Sequence, residues 1–227
     1  MESLSKPDEE EPLQASALMC YHCFDVLVDH LTSSDNIAPR PLNINPKVEC
    51  PLFVTWELCT NNHWHLRGCI GTLSPRPLYR SVKEYALTSA TRDRRFHPIS
   101  FEETPLLRVG VSLLIKYQPC KDVWDWTIGV HGILIKFCVT NKHYSATYLP
   151  EVAHEQGWDH QQAIASLIQK AGYTGKIDDH LYPKIQCTRY QSSKHKQTFQ
   201  DYLVHKGYNP LPPTLTNKST VSSCNIN

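Results

Sequence analysis

Hydrophobic residues along this chain change period several times, and each change marks an element. From Ala15 to Leu31, Cys20, Cys23, Phe24, Leu27, Val28 and Leu31 recur at spacings of three and four, the signature of one buried helix face. From Leu52 to Leu58, Val54 and Trp56 alternate with Phe53, Thr55 and Glu57, which predicts a strand. Asn61-Asn62 then predicts a turn, and the chain returns through His63 to Thr72 as the second arm of a hairpin. Ser74-Pro75-Arg76-Pro77 breaks the pattern before a helix from Leu78 to Thr91, whose inner face is Leu78, Val82, Tyr85, Ala86 and Ser89. Ser100 and Glu103 have capping-box spacing, so a short helix is expected there. Leu107 to Tyr117, rich in valine, leucine and isoleucine, reads as a central strand.

The second half repeats the alternation of strands and helices. Thr127 to Val130 is expected to pair with Ile133 to Val139 across His131-Gly132, with Lys136 marking the solvent side. Asn141-Lys142 turns the chain into a strand from His143 to Leu149. Pro150 opens a helix, where its missing N–H needs no partner, and Glu151 suits the positive end of that helix. Asp159 and Gln162 form a second capping box for a helix from His160 to Ala171, stopped by Gly172 and burying Ala163, Ile164, Leu167 and Ile168. Pro183 to Tyr190 is a last strand, and Phe199, Tyr202 and Leu203 fit a short terminal helix. Strands grouped as hairpins favour an α+β fold, with a mixed or antiparallel sheet flanked by helices, over a doubly wound sheet.

Composition narrows the class. Lysine plus arginine is 23 and aspartate plus glutamate 22, a net charge of +1, which gives no global attraction to nucleic acid or an anionic membrane. No stretch has the roughly 18 consecutive apolar residues of a membrane span, and the N-terminus lacks a signal peptide's apolar run. A protein of the cytoplasm or nucleus is expected. Residues 1–13, acidic with two prolines, and residues 209–227, rich in proline, threonine, serine and asparagine, are expected to be disordered tails around a domain at 14–208. The nine cysteines are an odd count in an intracellular setting, so a disulfide framework is not expected. Cys20 and Cys23 have C-x-x-C spacing but lie on the inner face of the first helix and have no second such pair, which favours buried thiols over zinc.

Candidate chemistry centres on His65-Leu66-Arg67-Gly68-Cys69-Ile70-Gly71-Thr72. Strand alternation would send Arg67 and Cys69 to one side, while Gly68 and Gly71 leave room for a close approach. Cys69 is the candidate nucleophile, with Arg67 supplying positive charge and His131, or else His65, the base. The plainer alternative is a core cysteine beside a structural Arg67 ion pair. Arg92-Asp93-Arg94-Arg95-Phe96 ends a helix. It either compensates the helix dipole or recognises an anion, with Asp93 orienting the Arg95 fork and Thr88 facing the same cleft. Arg189-Tyr190 with Lys194, His195 and Lys196 is a second basic cluster. Together the two clusters offer an RNA- or DNA-binding alternative with Tyr190 as stacking platform, although no complete motif accompanies them. Glu151-x-x-His154 has helical ligand spacing but occurs once, so neither metal nor cofactor is expected.

Four ordered blocks carry a family resemblance. They are Leu66-Arg67-Gly68-Cys69-Ile70-Gly71-Thr72; Tyr85-Ala86-Leu87-Thr88-Ser89-Ala90 with Asp93-x-Arg95-Phe96; Asp125-Trp126-x-x-Gly129-Val130-His131-Gly132-Ile133; and Ala146-Thr147-Tyr148-Leu149-Pro150-Glu151-Val152-Ala153. From about Ser16 to Tyr208 the chain resembles the AMMECR domain family, best its animal-type branch. The resemblance implies an α+β fold of two unequal subdomains with related β-α halves and the signature near the groove between them. It implies no established activity. Arg67, Cys69, Asp93, Arg95, Tyr148, Pro150 and Glu151 match the blocks, whereas His154 and His63-Trp64-His65 depart from the family pattern. Family association with Memo-like and radical-SAM proteins suggests a protein or peptide partner, Memo-like among them, or a small-molecule substrate. The combined expectation is an intracellular cleft protein that binds through Arg67, Gly68, Thr88, Asp93, Arg95 and Tyr148. Catalysis, if any, would fall to Cys69, His131 and Glu151. A non-catalytic scaffold is the alternative.

Overall fold

The computed structural model describes residues 13–32 and 42–209. Apart from Leu13 and Asn209, the two expected tails lie outside the described residues, as does most of the loop before Lys47. Helix α1 (Ala17–Thr32) is followed by the hairpin β1 (Leu52–Thr60) and β2 (His63–Thr72), then by α2 (Leu78–Thr91). A 3-10 turn at Phe101–Leu106 leads into β3 (Leu107–Pro119). The second half contains β4 (Gly132–Val139), β5 (Lys142–Tyr148), α3 (Pro150–Glu155) and α4 (His160–Lys170), and it closes with β6 (Gln186–Thr198) and α5 (Phe199–His205). The strands form one sheet in the order β2-β1-β3-β6-β4-β5, and every neighbouring pair is antiparallel.

Local chemistry explains the elements. Asn61 and Asn62 both have positive φ, 52° and 62°, as a two-residue hairpin turn of matching twist requires. Thr140 and Asn141 do the same between β4 and β5. The α4 box is formed: Asp159 Oδ1 accepts from Gln162 N at 2.7 Å, and Gln162 Oε1 accepts from Asp159 N at 3.0 Å. The same device starts α5, where Thr198 and Asp201 cap each other.

Two cores divide the sheet. The larger packs α1, α2 and α5 on β1 and β3 through Phe24, Leu27, Val54, Trp56, Val82, Val109 and Val111. Trp56 is fully buried and its Nε1 donates to Ala86 O at 3.0 Å, tying α2 to β1. Cys20 and Cys23 belong to this core, and burial pushes the Cys20 thiol up to about 12. The smaller core packs α3 and α4 on β4 through Ile133, Ile135, Phe137, Ile164, Leu167 and Ile168. β6 joins the two lobes, pairing with β3 from Thr188 to Thr198 and with β4 from Gln186 to Tyr190. Among the described residues no helix is long and apolar enough to cross a membrane.

Two expectations fail. Thr127–Val130 is a turn and not a strand: Val130 and His131 both donate their N–H to Thr127 O, so β4 takes β5 and β6 as partners instead. The last strand does not stop at Tyr190 but continues to Thr198, because pairing with β3 sustains a run that has no hydrophobic alternation.

Candidate functional site

β2 is an outer strand, so its outward backbone groups need partners. Asp93 and Arg95 supply them at Cys69. Cys69 N donates to Asp93 Oδ2 at 2.9 Å, and Cys69 O accepts from Arg95 Nη2 at 3.3 Å. Asp93 also accepts from Arg95 Nε at 3.0 Å and Nη2 at 2.7 Å. The Arg95 guanidinium, with help from the Cys69 and Arg95 amides, holds this carboxyl well below the usual carboxylate range despite its burial. At Gly68 the backbone of α2 comes close: a Cβ there would lie 2.1 Å from Ser89 O.

The register of β2 breaks inside the signature. Gly68 pairs with Trp56 but Leu66 pairs with Glu57, which leaves Arg67 as the extra residue of a bulge. The strict alternation between Arg67 and Cys69 is interrupted there. Arg67 instead forms a two-pronged pair with Glu103, Nε to Oε1 at 2.7 Å and Nη2 to Oε2 at 3.0 Å. It also donates to the carbonyl oxygens of His97 and Pro98. The guanidinium therefore clamps the segment after α2 onto the bulge.

The Cys69 side chain belongs to a different network. Its Sγ accepts from Thr55 Oγ1 at 3.1 Å. Residue pairing then runs Cys69–Thr55–Gly110–Lys196 across β2, β1, β3 and β6, a single rung on one face of the sheet. A cavity of about 230 Å³ opens beside this rung, lined by Thr55, Gly110, Ser112, Glu151, Glu155, Lys194, His195 and Lys196. Gly110 lies beneath the Lys196 side chain, whose Cγ would be 3.2 Å from an added Cβ. The cavity's two lysines are both paired: Lys194 Nζ donates to Glu151 Oε1, and Lys196 Nζ reaches both Glu57 oxygens at 2.9 and 3.0 Å. Burial acts to raise the Glu57 carboxyl, but the bonds from Arg108 and Lys196 outweigh it and hold it below the usual range.

The other anticipated residues separate. Strands β1, β3 and β6 stand between β2 and β4, so His131, immediately before β4, is across the sheet from Cys69. His131 Nδ1 accepts from Thr127 N at 3.0 Å, and burial with nearby Arg189 lowers its basicity. Thr88 donates to Glu84 O within its own helix. Tyr148 pairs with Ser166 at 2.9 Å in the smaller lobe. The nucleic-acid surface also comes apart: Tyr190 is 1% exposed and stacked on Tyr117, while Arg189, Lys194 and Lys196 pair with Asp125, Glu151 and Glu57. Glu151 does join the cavity, with Thr55, Gly110, Ser112 and Glu155, none of which the sequence singled out as site residues. The alternation of Ser192, Lys194, Lys196 and Thr198 was the one available signal for this face.

These features define an α+β protein in which one antiparallel sheet carries two cores and a polar cavity that reaches Thr55, the hydrogen-bond partner of Cys69. The chain belongs to the AMMECR1 family, whose model matches residues 20–195. An uncharacterised protein of Arabidopsis thaliana is 45% identical over 196 residues, covering 85% of this chain and 90% of that one. One from Schizosaccharomyces pombe is 38% identical over 187 residues, with 81% and 93% covered. The crystal structure of an uncharacterised protein from Pyrococcus horikoshii has a similar fold, with a TM-score of 0.60 over 79% of this chain and 89% of that one at 24% identity.

Proposed function

We propose that this chain is a binding protein for a small polar or peptidic partner, held in the cavity walled by Thr55, behind which Cys69 accepts the Thr55 hydroxyl hydrogen bond. The observation that carries this reading is the rung Cys69–Thr55–Gly110–Lys196 with the paired charges around it. A ligand bearing both a carboxylate and an amine can exchange with the Lys194–Glu151 pair, each end replacing one internal partner. Glu155 offers a further acceptor. Convergent polar groups in a concave site are the usual arrangement of a ligand pocket.

Covalent chemistry at Cys69 extends this proposal. In acyl or alkyl transfer, an Sγ–C bond forms, the bond to the leaving group breaks with its electron pair, and the thiol proton passes to water. Glu151 then serves by placing Lys194, while Arg67 frames the site through its clamp on residues 97–103. A Memo-like protein as the natural partner, an animal-type placement within the family and residence in the cytoplasm or nucleus rest on family association and composition.

The test is iodoacetamide labelling of the folded protein with mass mapping of every cysteine, run beside thermal unfolding of Cys69→Ser. Labelling of Cys69 in the native state, together with unchanged unfolding of the serine variant, is expected. A Cys69 inert until the protein unfolds would remove the nucleophile and favour a scaffold.

A further inference from the structure

A second cavity, of about 510 Å³, shares no lining residue with the first and is formed by Trp124, Asp159, His160, Gln161, Asp179 and Tyr182. Trp124 and Tyr182 meet edge to face, with ring centroids 5.0 Å apart and planes at 62°. Rings set this way present π faces in two directions around one corner, and those faces carry partial negative charge. Trp124 is 39% exposed, whereas Trp126 two residues on is buried with its Nε1 bonded to Val123 O. The core is thus served by Trp126, and Trp124 is left facing solvent. Its backbone is held in place by Asp122 Oδ1, which accepts from Trp124 N at 2.7 Å.

The charges around this corner have one sign. Two carboxylates line it, and no lysine or arginine does. Asp159 is the N-cap of α4, so the positive end of that helix offsets part of its charge. Asp179 is exposed and has no ion-pair partner among the described residues. His160 forms a fixed wall: its Nε2 donates to Trp126 O at 2.9 Å, since a carbonyl can only accept.

We propose that this corner binds an organic ammonium cation, either a free quaternary ammonium or the same head group on a methylated lysine side chain. An anion would meet two carboxylates. A neutral apolar group would desolvate them without compensation. A compact metal ion prefers a full shell of oxygen ligands, which two carboxylates do not provide. A methylated ammonium matches both parts of the site, its methyl groups against the ring faces and its charge towards Asp179.

The experiment is a heteronuclear NMR titration of the full chain, following the Trp124 indole N–H assigned with Trp124→Phe. The probes are tetramethylammonium chloride, a short peptide carrying trimethyllysine, the same peptide with unmodified lysine, and the same peptide with a neutral tert-butyl isostere. The trimethyllysine peptide is expected to bind about tenfold more tightly than the neutral isostere. Asp179→Asn should weaken the cationic probes selectively, and Trp124→Ala should remove the response. Tighter binding of the trimethyllysine peptide than of tetramethylammonium identifies a lysine side chain as the source, and equal binding identifies a free cation. A neutral isostere binding as well as its cationic counterpart, or no Trp124 response to any probe, overturns the proposal. Cys69 takes no part in this corner, so the outcome is separate from that of the labelling experiment.

Discussion

Asp93→Asn tests how the edge of β2 is closed. In the folded chain the two Asp93 oxygens accept from Cys69 N, Arg95 N, Arg95 Nε and Arg95 Nη2, and the side chain is only 7% exposed. Asparagine keeps one acceptor oxygen but turns the other into an NH2 group, which faces donors. Losing a charged acceptor for the part-buried Cys69 amide and the half-exposed Arg95 fork costs up to about 3 kcal/mol, the upper range for hydrogen bonds to charged groups. For a domain of this size that corresponds to a fall in Tm of about 6–12 °C. The pH dependence has a definite sign. The folded carboxyl is held below its unfolded value, so its contribution is complete above the unfolded pKa of about 4. It is lost as pH falls towards the depressed folded pKa. The gap in stability between the parent and Asp93→Asn should therefore stay constant from about pH 8 to 5 and narrow below about pH 4. Urea unfolding of both proteins at several pH values measures it. A gap under about 0.5 kcal/mol at neutral pH, or one that widens in acid, would refute the assignment of Asp93 as the buried cover of the strand edge.

Two glycine substitutions should behave differently. Gly68→Ala places Cβ against the Ser89 carbonyl at 2.1 Å, a backbone atom that moves only if α2 moves, and should cost about 3 kcal/mol. Gly110→Ala meets the flexible Lys196 Cγ at 3.2 Å and should change stability by less than about 1 kcal/mol while narrowing the cavity. Equal losses in denaturant melts would contradict this contrast. Arg67→Lys keeps the charge but replaces a fork bonded to Glu103, His97 and Pro98 by a single nitrogen, so a loss of about 2 kcal/mol is expected. Hydrogen exchange should show residues 97–103 opening more readily in that variant. Unchanged exchange there would mean that the clamp is not what holds the segment.

The local elements of this protein were legible in its sequence because each is encoded within a few residues. The Asn61-Asn62 turn, the Asp159–Gln162 box, the inner face of α2 and the period-two pattern of β1 need no distant partner to be recognised, and all four are present. The sequence likewise determined that Cys20 and Cys23 face a core, through helical spacing alone. The candidate site was legible only in part. Cys69 and Glu151 were marked by residue type, but their neighbours were not, because Thr55, Gly110 and Lys196 are ordinary strand residues until β1, β3 and β6 lie side by side. β6 shows why: it is almost wholly polar from Gln191 to Thr198, so it carries no hydrophobic alternation, and its extended form comes from backbone pairing with β3. Tertiary structure also decided that His131 lies across the sheet from Cys69 and that a bulge at Arg67 interrupts the strand register, with Arg67 bonded to Glu103 and Cys69 to Thr55. Periodicity records which side of an element is buried. Strand order and bulges are set by pairing between residues far apart in the chain, and that pairing gathered the rung beside Cys69.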